Sequence, residues 1–419
     1  MAEPFHATAL SSIQELDLLV TELRQAGGLP LYQPQNTKGT NPQTGILIEE
    51  LSPDMTAKAQ ERQVPEQLLS NSCLVVALYA TDPVLLTPWT THQLGIASRD
   101  LLQALAPSGL SAVAKSMLQG ASGQQQPTVE QFLATVLQQL LSQSKLCFTQ
   151  DVYQYEKAEL PNLPGPDTFT RCLAGRQLAF LVRQLGYQQL STVLPAALPC
   201  ILATIKDQPP AVQCYGLHAL RHIAEEALSA DLRPHQRQLM TVAAESLVGC
   251  EDAVWSVAAP TACAVLCSMG SNCQGPGHQE MMAEMLRQAQ TQCHKKARRL
   301  VWLEAIKPVF AVLGLQTLRF FSKLMPQLLH WSQEPDLATQ LKALEVLQEI
   351  VRHTWPRMPA HASFLWSQLH VVQEQLQAST ASDRSDLDGI HHDAIVKKMQ
   401  MQLASIATML YLCGGSGLV

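Results

Sequence analysis

Charge is scarce in this chain. Asp, Glu, Lys and Arg make up 15% of its 419 residues, against about 25% in an average globular domain. Gln, Ala and Ser fill the polar positions instead. A surface this poor in charge points to coverage by a partner. Aromatics stand at 5%, and none interleave with basic residues as single-strand binding requires. The formal charge of −6 argues against broad contact with phosphate backbones. The longest apolar run, Val254 to Met269, is short for a bilayer and contains Pro260. No Asn-x-Ser/Thr sequon occurs, and the N-terminus MAEPFHATAL lacks the basic–apolar–cleavage order of a secretory signal. The expectation is a soluble protein of cytosol and nucleus, with neither nucleic acid nor membrane as partner.

Catalytic signatures are missing as well. Nothing matches G-x-x-x-x-G-K-S/T, and there is no G-x-S-x-G elbow and no H-E-x-x-H helix. The expectation is therefore a non-enzyme without a cofactor. The 11 cysteines are scattered and odd in number, and Cys200, Cys214 and Cys263 lie inside apolar helical patterns. They read as buried free thiols of a reducing compartment. The best metal candidate is Cys263, Cys267, Cys273 and His278. Zinc needs converging thiolates at tetrahedral angles. This spacing lacks paired knuckles and its flanks are apolar, so buried thiols are favoured over a zinc-dependent helical enzyme. The doublet His391-His392 is not a better site, because neighbours on a helix diverge by about 100°.

What the chain does have is a repeat. LPCILATIKDQPPAVQCYGLHALRHI, Leu198 to Ile223, returns about 130 residues later as MPQLLHWSQEPDLATQLKALEVLQEI, Met325 to Ile350. Pro199 falls on Pro326, Asp207 on Glu334, Leu217 on Leu344, Leu220 on Leu347 and Ile223 on Ile350. Each copy is a proline-bearing helix, an acidic turn and an amphipathic helix. One such pair cannot bury its own apolar faces, so it needs neighbours on both sides. The rhythm resembles HEAT repeats, and the expected fold is all-α: a HEAT/armadillo-like α-solenoid of stacked antiparallel helix pairs.

Periodicity and stop signals divide the chain into a helix within residues 1–26, a Gly/Pro-rich loop or linker over 27–64, the array over 65–413 and a tail over 414–419. Within the array, helices are expected at Pro65–Tyr79, Thr91–Leu105, Ser108–Gln119, Thr128–Lys145, Asp167–Leu185, Gln188–Ile205, Pro210–Leu228 and His235–Val248. They continue at Asp252–Met269, Gly277–Gln292, His294–Leu313, Leu315–Trp331, Asp336–Trp355, Ala360–Gln377 and Ile390–Leu412. Ala378 to Gly389 reads as a polar loop.

Two surface features stand out. Lys295, Lys296, Arg298 and Arg299 form the strongest basic run. It fits a nuclear-import signal or an acidic-partner patch, though a solvated helix end is the simpler reading. At His353-Thr354-Trp355-Pro356-Arg357, proline must stop the preceding helix and hold Trp355 at its end beside Arg357. Trp and Arg at a corner are typical interface anchors; packing of Trp355 between repeats is the equal alternative.

Several patches resemble one family, the TELO-two-interacting protein two family. They are Leu313-Gly314 with Thr317 and Arg319, then Leu341, Lys342, Leu344, Glu345 and Leu347, then His353-Thr354-Trp355-Pro356-Arg357. Val193 to Leu198, Gly216 to Ile223 and Pro88 to Thr91 match in the same order, whereas the N-terminus to about residue 66 has no counterpart. The resemblance implies a non-enzymatic scaffold of the Triple-T (TTT) co-chaperone complex. Its partner would be the large HEAT-repeat subunit. Indirect partners would be the third TTT subunit, the phosphatidylinositol-3-kinase-related kinases and the ninety-kilodalton heat-shock chaperone machinery. His353, Trp355, Pro356, Arg357 and Arg319 become the candidate partner-binding residues. A HEAT-type adaptor for nuclear transport or a phosphatase is the alternative of the same fold.

Overall fold

A computed structural model of the chain describes residues 73–74, 76–77, 129–148, 168–270, 276–291, 294–382 and 389–414. The expected N-terminal helix, the linker, the helices between residues 91 and 119, Pro88 to Thr91 and Cys273 lie outside them. All described elements are helical, with no strand among them. Two compact units divide between Leu228 and Ser229.

The first unit contains α1 (Val129–Phe148), α2 (Thr168–Arg183), α3 (Tyr187–Ile205) and α4 (Pro210–Glu226). α1 pairs with α2 and α3 with α4; α1 also packs on α3, and α2 on α4. That is a two-layer stack of helix pairs. α4 begins on Pro210 because proline fixes φ and needs no amide partner at a first helical position. It then crosses α3 closely at Gly216. A Cβ there would stand 2.8 Å from Ile205 Cγ1 and 2.9 Å from the Ile205 backbone nitrogen. Gly→Ala in a helix normally gains up to about 1 kcal/mol. Here the sign reverses, because backbone must move. Gly216→Ala is expected to destabilise by about 2 kcal/mol, read as a lower urea midpoint.

The second unit holds α5 (Ser229–Leu232), α6 (Gln236–Glu245), α7 (Asp252–Ser268), α8 (Pro276–Thr291) and α9 (Lys296–Leu313). After them come α10 (Phe321–Ser332), α11 (Leu337–Thr354), α12 (Ala362–Ser382) and α13 (Gly389–Gly414). The pairs are α6–α7, α8–α9, α10–α11 and α12–α13. α7, α9, α11 and α13 pack side by side as one layer. α11 shows why the sequence folds this way: Leu341, Leu344, Leu347, Val351 and Thr354 bury one flank while Ala343, Val346 and Ile350 bury the other. The six repeat positions expected in the core, Leu217, Leu220, Ile223, Leu344, Leu347 and Ile350, are all buried. The fold is thus the all-α HEAT-type stack expected from the repeat.

Two boundaries differ from the sequence reading. Leu315–Trp331 is not one helix. Gly314 ends α9 at φ +50°, a left-handed conformation that only glycine adopts without strain. A 3-10 helix, Gly314–Phe320, then leads into α10. Of the loop read over Ala378 to Gly389, residues 378–382 belong to α12, which runs on to Ser382; Ala378 and Ala381 favour helix. Two stretches, Tyr187–Ile205 and Lys296–Ser332, are long and apolar enough by composition to cross a membrane. Both are packed against other helices of their units.

Candidate functional site: an interaction edge and an ion-pair ladder

Stacked antiparallel pairs place two kinds of connection at opposite ends. Turns within pairs lie at one edge and links between pairs at the other. The basic run belongs to the first edge, at the start of α9. Arg298 is buried. Its guanidinium reaches Asp252 Oδ1 at 2.6 Å and donates to the Cys250 carbonyl at 2.6 Å. It also lies 5.2 Å over the Trp255 ring, whose Nε1 donates to the Arg298 carbonyl at 3.2 Å. Lys295 joins the same Asp252 at 2.9 Å. Hydrogen bonds from Lys295 and then Arg298 pull the Asp252 carboxyl below its ordinary value. In the other direction Lys296 meets Asp336 at 2.8 Å and Arg299 meets Glu334 at 3.6 Å. Asp336 is also the N-cap of α11, accepting from the Thr339 amide at 3.1 Å.

The run is therefore a rung between successive turns. The simpler reading, a solvated helix end, is corrected for Arg298, which lies buried. All four residues already have acidic partners within the chain. The cause is local. The run opens α9 while Asp252 opens α7 and Asp336 caps α11, so four cations in five residues serve both neighbouring turns. Sequence reading missed the matching rung in the first unit, where Arg171 on α2 pairs with Asp207 at 2.6 Å. A signal was present: Arg171 and Arg299 each occupy the fourth position of a helix and precede their acids by almost the same distance. Deeper along the layer, Lys307 and Lys342 bind Glu304 and Glu345 across α9 and α11.

The opposite edge carries the Trp355 corner. α11 ends at Thr354, whose hydroxyl folds back to the Ile350 carbonyl at 2.5 Å. A 3-10 helix, Trp355–Ala360, follows. Met358 is fully buried under it, whereas Trp355 is 61% exposed. Pro356 and Arg357 are exposed as well, and Arg357 has no ion pair among the described residues. The alternative in which Trp355 fills a gap between repeats is corrected: Met358 takes the inward position of the turn. His353 is half-buried and held by Glu349 at 3.3 Å. Arg319 is exposed at the end of the 3-10 helix that precedes α10 and makes no ion pair among the described residues. The two corners meet where the Phe321 and His361 rings lie 5.4 Å apart.

The metal candidate separates. Cys263 is buried in α7, Cys267 is half-buried one turn on, and His278 lies buried in the first turn of α8. Among the described residues no three His, Cys, Asp or Glu side chains are placed to hold a metal ion. A shallow groove between α12 and α13 is lined by Trp366, Leu369, Leu376, Leu403 and glutamines, which offers no acid–base pair. His278 Nδ1 faces Gln236 at 3.5 Å, and Nε2 has no partner among the described residues. Burial lowers its pKa. The unfolded chain, with histidine near 6.5, therefore takes up the proton first. Stability supplied by neutral His278 is present above about pH 6.5 and is lost as pH falls below it. Urea midpoints of the wild type should drop between pH 7 and pH 5.5, and His278→Leu should flatten part of that drop.

No family model matches the chain. The uncharacterized protein At2g39910 of Arabidopsis thaliana is 27% identical over 216 residues, which is 51% of this chain and 49% of that protein. The match thus spans about half of either protein. Among solved structures, the karyopherin Kap121p bound to the SUMO protease Ulp1p aligns with a TM-score of 0.57 at 15% identity, over 95% of this chain and 33% of that one. Kap95p in its RanGDP complex aligns with a TM-score of 0.54 at 9% identity, over 96% of this chain and 45% of that one. This chain is less than half the length of either karyopherin chain it matches. At these identities the likeness establishes a shared HEAT-type fold.

Proposed function

We propose that the chain is a non-enzymatic HEAT-type adaptor, and specifically a scaffold subunit of the TTT co-chaperone complex that binds its large HEAT-repeat subunit. Through that subunit it would support folding and assembly of phosphatidylinositol-3-kinase-related kinases, in cytoplasm and nucleus, with no cofactor of its own. The observation that carries this reading is the run of ordered matches ending at His353-Thr354-Trp355-Pro356-Arg357. The same segment forms an exposed corner built on a buried methionine. A corner held by proline presents its side chains with little ordering cost.

Co-expression tests it. The full chain should capture the large TTT subunit. Arg357→Glu should weaken capture by about tenfold and leave the melting temperature within about 1 °C, since an exposed unpaired arginine contributes little to stability. Absence of capture by the wild-type chain, or recovery of Ran or a phosphatase in place of the TTT subunit, would sink the assignment.

A further inference from the structure

We infer that the edge formed by the α9–α10 and α11–α12 links, in residues 314–364, docks an acidic peptide segment carrying an apolar anchor. The inference rests on the adaptor reading and adds the chemistry of the partner. Its basis is charge segregation. The turns within pairs hold acids, among them Glu251, Asp252, Glu334 and Asp336. The opposite edge has Asp231 and Glu280 at its first links and none around its last two. Residues 311–332, 354–373 and 394–414 contain no Asp or Glu, in a chain whose formal charge is −6.

Arg319 and Arg357 are exposed on that edge, and neither forms an ion pair among the described residues. Glu349, the nearest acid before the corner, pairs with Arg352 at 3.0 Å, and Glu374 lies more than three turns into α12. Cations without partners leave a local positive field that favours an acidic ligand. Leu315, Trp355 and Phe364 lie on or next to the same two links, each about half exposed or more. Large apolar side chains beside uncompensated cations suit a peptide that brings both carboxylates and a hydrophobic residue. The edge is also pre-formed. Thr317 and Met358 are fully buried beneath the two 3-10 helices, and the Phe321–His361 contact joins them.

The experiment pans a random displayed peptide library against the full chain and measures the synthesised winners by fluorescence anisotropy. Enriched peptides should be net acidic with an aromatic or leucine anchor. Their affinity should fall about tenfold or more for Arg319→Glu with Arg357→Glu, fall for Trp355→Ala, and weaken with added salt. If the double glutamate variant melts early, Arg319→Gln with Arg357→Gln replaces it. No enrichment, enrichment of neutral or basic peptides, or acidic winners that bind every variant as wild type would each overturn the inference. So would full competition by a uridine homopolymer, which would indicate a nucleic-acid surface. If this selection fails while the large TTT subunit is still captured, the adaptor reading survives. If wild-type capture fails while the peptides behave as described, the TTT assignment falls and the acidic-peptide edge remains.

Discussion

Trp302→Ala should destabilise the second unit by about 3–5 kcal/mol, whereas Trp355→Ala should change stability by no more than about 0.5 kcal/mol. Trp302 on α9 and Trp331 on α10 are both fully buried. Their rings meet edge to face, 5.6 Å between centroids at 70°. Truncating Trp302 removes its own transfer free energy and leaves a cavity between two helix pairs. The edge-to-face contact adds about 1 kcal/mol to the loss. Trp355 projects from a turn whose packing is done by Met358, so little collapses when its ring is removed. Urea unfolding followed by circular dichroism compares the two. A loss below about 1 kcal/mol for Trp302→Ala would show that the interface between these pairs does not hold the unit together.

Arg298→Met should cost about 2 kcal/mol, and Arg298→Lys should recover little of it. The guanidinium donates to a carboxylate and to a carbonyl at the same time and covers the Trp255 ring. An ammonium cannot reproduce that fork or that stacking. A methionine side chain would fill the space but leave the Cys250 carbonyl without its donor. Lys296→Met is the control. Its ammonium is largely exposed where it meets Asp336, and surface pairs of this kind contribute about 0–1 kcal/mol. The same denaturation experiment ranks the two. Equal effects at both positions would mean that Arg298 acts only as one more surface charge and that its burial carries no weight.

Most helices were legible from the chain. Those from Pro210 to Leu313 begin and end within a few residues of the expected limits, because apolar spacing, prolines at helix starts and glycines at helix ends act over one or two turns. Misses fell where distant packing overrides local preference. Leu315 to Phe320 has helical composition, yet after the left-handed Gly314 it winds as a 3-10 segment with Thr317 turned inward.

The candidate sites divide in the same way. Sequence by itself determined the repeat, its apolar faces and the stop at Pro356, because proline geometry and helical period are properties of a few adjacent residues. It also located the cations Lys295 to Arg299 without saying what they faced. Only the tertiary structure decided that. It set Asp252 before them and Glu334 and Asp336 after them, turning a basic run into a ladder. It likewise left Arg319 and Arg357 unpaired among the described residues and Trp355 exposed. The physical reason is that an ion pair or a buried contact is made between residues tens of positions apart. Which cation is spent inside the molecule and which is left for a partner follows from how the pairs stack.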